Sequence, residues 1–289
     1  MSKGVFFFNF GNKCALRMMV AAYTLRKHYS GNATVCLAED EYVGEMTEDL
    51  GRLGVDVTYF PLKSPCKRNT GYTIKPEIIN KTPYDITLAV DTDVVFLTNV
   101  DPLIAQIKDS PTLLTQFSNW ISSGQRLKKR INSLGDVLPK KQIEEALVAG
   151  PAINTGVLGI TKGESDEFMK DWIETTYKGK CRFIVDEIAC QCMFFRHKTK
   201  VLDSVWNCSA VFDDIKKAKI LHLHGRKHAT TKRPSGRLWW KCTGELIDSG
   251  LLKHLDTWMA NDKQVGRLKP REWKKIVADS NKEFEGKYE

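Results

Sequence analysis

A chain of 289 residues is long enough to enclose a full hydrophobic core, and 42% apolar with 27% charged residues is ordinary for a soluble globular protein. The formal net charge of +9 favours anionic partners such as nucleotides, nucleic acid or anionic lipid. No apolar stretch of about 18 residues is present, so the sequence predicts no membrane span.

The opening residues and the cysteines indicate a cytoplasmic protein. The first 14 residues contain too short an apolar stretch for the core of a signal peptide. The eight cysteines are dispersed, so we expect free thiols. Cys190 and Cys192, with His197 nearby, are interpreted as small buried side chains on a helix rather than as a zinc site.

The first 61 residues alternate between strand and helix patterns. Aromatic and β-branched content predicts strands at 5–10, 33–38 and 55–61, and apolar spacing predicts helices at 14–28 and 39–53. A βαβαβ beginning of this kind is typical of a doubly wound α/β fold.

The next apolar run, ITLAVDTDVVFL at 86–97, is broken by two carboxylates. Such a run predicts a strand buried on both faces, where two ionised aspartates without partners would be very costly. We therefore place Asp91 and Asp93 at the carboxyl end of the strand, where open α/β sheets bind ligands. Residues i and i+2 point to the same side of an extended segment, so both carboxylates can face one divalent cation.

The remaining patterns complete an α/β domain with a basic, tryptophan-rich helical extension. We expect one α/β domain over residues 1–228, with residues 229–289 packed on it. The predicted elements are a helix with Pro76 in its first turn, a strand at 113–117, an exposed helical excursion at 125–147, a strand at 152–160 interrupted by polar residues, helices at 166–177 and 186–195, and a strand at 219–223.

Four short motifs, AVDTDVVFL, INTGVLGI, IVDEIACQCMF and ILHLHGRKH, occur in this order along the chain. In kind and order they resemble motifs of the type-A-fold glycosyltransferases, especially the glycogenin-like and lipopolysaccharide-galactosyltransferase-like retaining group. The resemblance covers roughly residues 5–228. It implies a Rossmann-like doubly wound mixed sheet, here with a C-terminal helical appendage.

The resemblance implies a metal site that holds Mn²⁺, or Mg²⁺, against a nucleoside diphosphate. Asp91 and Asp93 match the metal-binding carboxylates, with Thr92 between them in contact with the nucleotide. His222 takes the position of the third ligand, and His224 is the competitor for it. A neutral imidazole beside two carboxylates suits manganese.

Further residues match positions around the donor. Asn9 and Phe10 lie where the family contacts the base and ribose, or else form a strand-to-loop turn. Lys75 matches a basic residue near the nucleotide, the alternative being a surface lysine. The lysine that the family places three residues after the glycine is His228 here, so we expect Lys227, with Arg226 in support, to contact the β-phosphate.

Three residues match positions near the donor sugar. Asn154 interrupts an apolar strand and needs hydrogen-bond partners that a sugar hydroxyl can supply. Asp186 and Glu187 match an acidic pair near the reacting sugar, although acids at a helix start also act as caps. Asp186 is the first candidate for a base, unless the leaving phosphate itself serves.

The sequence therefore predicts a metal-dependent, retaining glycosyltransferase that uses a nucleoside-diphosphate sugar, with UDP favoured. A phosphohydrolase of the haloacid-dehalogenase type is an alternative, although its Asp-x-Asp motif normally closes the first strand. A non-catalytic nucleic-acid-binding protein is another, because residues 216–241 contain nine Lys or Arg and no acid.

The acceptor is predicted from charge placement. An anionic acceptor, DNA or another polyanion, would contact cations beside the metal strand, with Trp239 or Trp240 available to stack on a ring. A glycan is the alternative acceptor. The expected cationic contacts are Lys232, Arg233, Arg237 and Lys241.

Overall fold

The computed structural model describes residues 1–38, 42–61, 70–110, 112–116, 125–210, 215–224 and 229–287, which alternate between strand and helix as expected. The strands are β1 (Lys3–Asn9), β2 (Asn32–Ala38), β3 (Asp56–Phe60), β4 (Ile86–Val90), β5 (Val94–Phe96), β6 (Thr112–Gln116), β7 (Ile153–Thr161), β8 (Lys200–Leu202), β9 (Cys208–Ser209) and β10 (Ile220–His222). The helices are α1 (Ala15–His28), α2 (Val43–Arg52), α3 (Thr70–Asn80), α4 (Asp101–Asp109), α5 (Gln125–Asn132), α6 (Lys140–Val148), α7 (Asp166–Lys178), α8 (Val185–Gln191), α9 (Pro234–Asp248), α10 (Leu255–Asn261) and α11 (Pro270–Glu283).

The described strands form two sheets. The larger has seven strands in the order β3-β2-β1-β4-β7-β6-β8. β2 and β3 are parallel, as are β6 and β8, whereas β7 is antiparallel to both β4 and β6. The smaller sheet has the order β5-β10-β9. The predicted α/β class with a mixed sheet is confirmed.

The chain divides into two compact units. Unit 1 comprises Met1–Phe6, Leu62–Val90 and Asp101–Asn207, and unit 2 comprises Phe7–Pro61, Asp91–Val100 and Cys208–Glu289. The predicted domain boundary after residue 228 stays a prediction.

β7 is a central element of unit 1. Its nine residues are all buried, and it is continuous rather than interrupted as the sequence predicts. Two polar side chains fit within it because each makes a hydrogen bond, Asn154 with Glu187 and Thr155 with Asp186. The polar residues therefore mark a buried network and not a break in the strand.

Residues 125–147, which the sequence predicts as an exposed helical excursion, fold as two helices with a buried apolar side. α5 ends at Asn132 and α6 begins at Lys140, and Gly135 and Pro139 lie between them. Glycine and proline favour such a break because neither supports a helix interior. The apolar faces of both helices join α8 in one buried cluster, whose core residues are Ile131, Leu134, Leu138, Ile143, Ala146, Ile188 and Cys192.

Two predicted helix bounds are wrong. α3 begins at Thr70, so Pro76 lies inside the helix rather than in its first turn. Ile74 and Lys75, immediately before the proline, are buried, and this packing stabilises the helix despite the missing N–H of Pro76. α8 ends at Gln191 and not at residue 195, and a separate 3-10 turn follows.

Three tryptophans of unit 2 form part of its core. Trp239 and Trp240 of α9 and Trp258 of α10 are 0–1% exposed. α9 and α10 both pack against α1, and α9 also packs against α11. The expectation that Trp239 or Trp240 is available for stacking is therefore wrong, because the fold uses both rings to fill the core.

Among the described residues, Cys181 differs from expectation. Cys190 and Cys192 are free and buried, as predicted. Cys181 is disulfide-bonded, so the expectation of free thiols throughout is wrong. A disulfide requires two Cα atoms within about 7 Å, and the linear spacing of cysteines does not reveal which of them the fold brings that close.

Among the described residues, no helix is both long and apolar enough to cross a membrane.

Candidate functional site

The Asp91-Thr92-Asp93 segment connects two different sheets within the apolar run. β4 ends at Val90 and β5 begins at Val94, so the two carboxylates lie at the carboxyl end of β4, as the sequence predicts. Thr92 between them is buried.

β10 brings His222 to the same place. It pairs antiparallel with β5, with His222 opposite Val94, and the N–H of Leu223 donates to the carbonyl of Asp93 at 2.8 Å. The Nε2 atom of His222 lies 3.2 Å from Oδ1 of Asp93 and 3.8 Å from Oδ2 of Asp91. Strand register thus assembles the three predicted ligands.

These three side chains can hold a metal ion. Each offers one ligand atom, and these atoms all lie within 4.8 Å of one another. Two carboxylates with an imidazole suit Mn²⁺, and carboxylate oxygens also suit Mg²⁺. The side chains of Asp91 and Asp93 are 32% and 18% exposed, so the cluster remains open to a ligand.

His224 is directed to a different partner. Its Nε2 lies 2.7 Å from Oγ of Ser209, and its ring centroid is 5.3 Å from that of His222. The geometry therefore favours His222 over its competitor as the third ligand.

Arg17 of α1 is a charged neighbour that the sequence analysis missed. Its Nη1 lies 4.0 Å from Oδ2 of Asp93, and its Nε lies 3.7 Å from Oδ2 of the buried Asp262. Burial alone would raise the pKa of the Asp93 carboxyl, but His222, then Arg17 and His224, outweigh it and hold that pKa well below its usual range. An arginine near the start of a helix gave no sign of this role.

Asn9 and Phe10 lie at the end of β1. Asn9 is buried, and its Nδ2 contacts the carbonyl of Gly11 at 3.5 Å and Sδ of Met46 at 3.8 Å. Its Oδ1 accepts no hydrogen bond from the described residues. Phe10 is half-buried and its ring packs against that of Phe8. The amide oxygen of Asn9 can thus accept a hydrogen bond from a ligand or a water.

Unit 1 contains a separate buried polar group. Nζ of Lys75 lies 3.4 Å from both Oδ2 of Asp186 and Oγ1 of Thr155, and the Thr155 hydroxyl donates to that same carboxylate oxygen at 2.8 Å. Lys75 is therefore a buried ion-pair partner and not a surface lysine. Thr155 was missed because a threonine in a strand is ordinary.

Asn154 and Glu187 belong to a second network in unit 1. Nδ2 of Asn154 donates to Oε2 of Glu187 at 2.7 Å, and Arg130 donates to Oε1 of the same carboxylate. Oδ1 of Asn154 accepts from Nδ2 of Asn207 at 2.7 Å and from the N–H of Gly156 at 2.9 Å. The sequence contains no signal for Arg130 or Asn207, since both are distant in the chain.

The cations predicted to contact the diphosphate or the acceptor have different surroundings in the structure. Arg226 and Lys227 lie outside the described residues, and Lys232 is exposed. Arg237 donates to both carboxylate oxygens of Glu283, and Lys241 donates to Glu245 at 2.6 Å. Two of the four cations assigned to an acceptor are thus engaged by acids of the same unit.

Comparisons with known proteins concern the fold. Neither a protein-family model nor a curated protein matches the sequence. Several solved glycosyltransferases do match in structure. The glycosyltransferase GlyE of Streptococcus pneumoniae TIGR4 matches with a TM-score of 0.57 and 14% identity, over 87% of this chain and 64% of GlyE.

Two further matches extend over nearly the full length of the known protein. Mouse xyloside xylosyltransferase 1 matches with a TM-score of 0.52 and 12% identity, over 78% of this chain and 98% of that protein. The galactosyltransferase LgtC, solved with donor and acceptor sugar analogues, matches with a TM-score of 0.54 and 15% identity, over 94% of this chain and 99% of LgtC. At such low identity the likeness establishes the fold alone, and the chain has a type-A glycosyltransferase fold that resembles that of LgtC.

Proposed function

We propose that this protein is a metal-dependent glycosyltransferase that moves a sugar from a nucleoside-diphosphate sugar, most favourably a UDP-sugar, to an acceptor hydroxyl with retention of configuration. The convergence of Asp91, Asp93 and His222 at the end of β4, in a fold shared with glycosyltransferases, carries the proposal. The position of the motif after the fourth strand, rather than the first, argues against the phosphohydrolase alternative.

Asp91, Asp93 and His222 would hold the metal and the diphosphate of the donor. A divalent cation bound by the two carboxylates and the imidazole would neutralise negative charge on a leaving diphosphate. Arg17 approaches Oδ2 of Asp93, whereas His222 lies nearest to Oδ1 of the same carboxylate. The unsatisfied amide oxygen of Asn9 supports its proposed hydrogen bond to the base or ribose.

Asn154 and Glu187 are proposed, from the family resemblance, to contact the donor sugar. Asn154 is fixed by hydrogen bonds on both sides of its amide, and Arg130 orients the carboxylate of Glu187 that Asn154 contacts. Such a preformed network suits recognition of a hydroxyl-rich ligand because little side-chain entropy is lost on binding.

Asp186 is the weaker candidate for a base. Its Oδ2 already faces Lys75 and the hydroxyl of Thr155, and its side chain is only 4% exposed. We therefore assign Asp186 a positioning role, holding Lys75, and we assign proton removal from the acceptor to the leaving phosphate.

A thermal-shift screen tests the proposal directly. Nucleoside diphosphates and nucleoside-diphosphate sugars would be added with and without Mn²⁺. A ligand that binds only the native state stabilises it by RT ln(1 + [L]/Kd). At a ligand concentration of about 100 times Kd, the expected stabilisation is about 2.7 kcal/mol. We expect a uridine donor to stabilise the protein only with metal, and Asp93→Ala to remove the response. A screen without any nucleotide response would overturn the assignment.

A further inference from the structure

α11 carries four cations on one face. Residues in an α-helix are about 100° apart around its axis, so these four side chains fall within a sector of about 100°, with the small Ala278 in its middle. All four are exposed. We call this set the basic stripe, and its members are Arg271, Lys274, Lys275 and Lys282.

The acids of α11 do not neutralise the stripe. Glu272 accepts from the backbone N–H of Lys269 at 2.6 Å and Glu283 is engaged by Arg237. Asp279 lies next to the stripe, four residues after Lys275 and three before Lys282, but it makes no ion pair with either of these described residues. Among the described residues, no ion pair joins a stripe side chain to an acid. By contrast, Lys27, Lys241 and Lys253 of the same unit each pair with a glutamate.

The fold does not require the stripe. The packed side of α11 is formed by other residues. Ser280 is buried. Val277 packs against Gly244 of α9 so closely that a Cβ added at Gly244 would lie 2.4 Å from Cγ1 of Val277. Like charges three or four residues apart destabilise a helix, and Arg271 stands at these distances from Lys274 and Lys275. Four such cations on one exposed face therefore point to an anionic partner.

The segment just before α11 carries further cations. Lys263, Arg267 and Lys269 precede the helix and are all exposed. From Arg271 to Lys282 the helix spans about 16 Å, and B-DNA carries one charge per about 1.7 Å of its axis. The stripe is thus long enough to lie along several phosphates.

We propose that the basic stripe is a docking surface for the phosphate backbone of nucleic acid. An anionic lipid surface is less favoured, because helices that bind membranes usually insert exposed apolar side chains beside their cations. The exposed large apolar residues among the described part of the chain are Met1, Tyr59, Tyr72, Val148 and Phe183, and none lies on α11. Trp273 is half-buried, with Nζ of Lys274 5.7 Å from its ring centroid.

The basic stripe differs from the polyanion-binding cations that the sequence predicts. Of the four cations predicted from the sequence, Arg237 and Lys241 are paired with acids, whereas the stripe lies about 30 residues further along the chain. Binding by the stripe does not depend on sugar transfer, so its failure and that of the proposed function are separate results.

Duplex DNA binding over a salt series tests the proposal. Each neutralised phosphate adds about −0.9 to the slope of log K against log salt, so four contacts account for about −3.6. Between about 50 and 200 mM salt this corresponds to a loss of about 100-fold in affinity. Changing Arg271, Lys274, Lys275 and Lys282 to Gln should make the slope shallower by about 3 to 4.

A control variant removes the same charge elsewhere. It carries Gln at four exposed lysines of unit 1, Lys108, Lys162, Lys178 and Lys198, and should keep most of the slope. Circular dichroism would establish that both variants fold. Equal losses in the two variants, no DNA binding by the unaltered chain, or binding to phosphatidylserine vesicles without binding to DNA would each overturn the proposal.

Discussion

The imidazole of His222 lies 3.2 Å from the carboxylate of Asp93, although the two residues are 129 positions apart in the chain. The antiparallel pairing of β5 and β10 produces this contact, because it aligns His222 with the residue next to Asp93. The candidate metal site is therefore a property of strand register.

We expect His222→Ala to lower Mn²⁺ affinity at least about tenfold, since even residues outside the ligand shell contribute that much. Metal-dependent nucleotide binding should fall in parallel, as measured by calorimetric titration. The matched control is His224→Ala, which removes a neighbouring imidazole that faces Ser209. Equal losses in both variants would contradict the assignment of His222 as the ligand.

We expect Asn154→Ala to weaken binding of a UDP-sugar by about tenfold, the value of one good hydrogen bond, and to leave UDP binding unchanged. The reason is that Asn154 is proposed to contact only the sugar. Glu187→Gln serves as the companion variant, because it keeps a polar partner for Asn154 and removes the charge that faces Arg130. Parallel losses for UDP and UDP-sugar would place Asn154 in a purely structural role.

Asp49→Ala should destabilise the protein by about 3 kcal/mol, because it leaves several buried donors without a partner. The Asp49 carboxylate is fully buried and accepts from the N–H groups of Lys253 and His254 and from Nε1 of Trp258. Urea denaturation measures the loss. Glu48→Ala, at the exposed neighbour that pairs with the side chains of Lys253 and His254, should have a much smaller effect. A larger loss of stability in Glu48→Ala than in Asp49→Ala would show that α10 is not held through Asp49.

The stabilising effect of Glu245 should depend on pH. Burial raises the pKa of Glu245, but hydrogen bonds from Lys241 and Lys27 outweigh burial and lower it below 4.5. Stability from a lowered carboxyl pKa is present above the unfolded value and is lost as pH falls through the folded value. Glu245→Gln should therefore cost about 1 kcal/mol at neutral pH and nothing once the carboxyl is protonated. Unfolding titrations at both pH values would check this, and a difference that persists in acid would refute it.

Much of the fold could be predicted because its signals are local. Alternating strand and helix patterns, together with the apolar run before Asp91, indicate an α/β sheet that ends in a carboxylate pair, and these depend only on neighbouring residues. The assignment of His222 came from a motif rather than from geometry, and the structure places that residue beside Asp93.

By itself, the sequence determined the class of fold, the candidate metal-binding motif and the basic character of the C-terminal region. Only the tertiary structure decided which cations are engaged and which aromatic rings are covered: Arg17 faces Asp93, Arg130 holds Glu187, and Trp239 and Trp240 fill the core. The physical reason is that these outcomes depend on packing between segments far apart in the chain. Residue type and spacing describe what a side chain can do, but the neighbours that the fold supplies decide whether it remains available to a ligand.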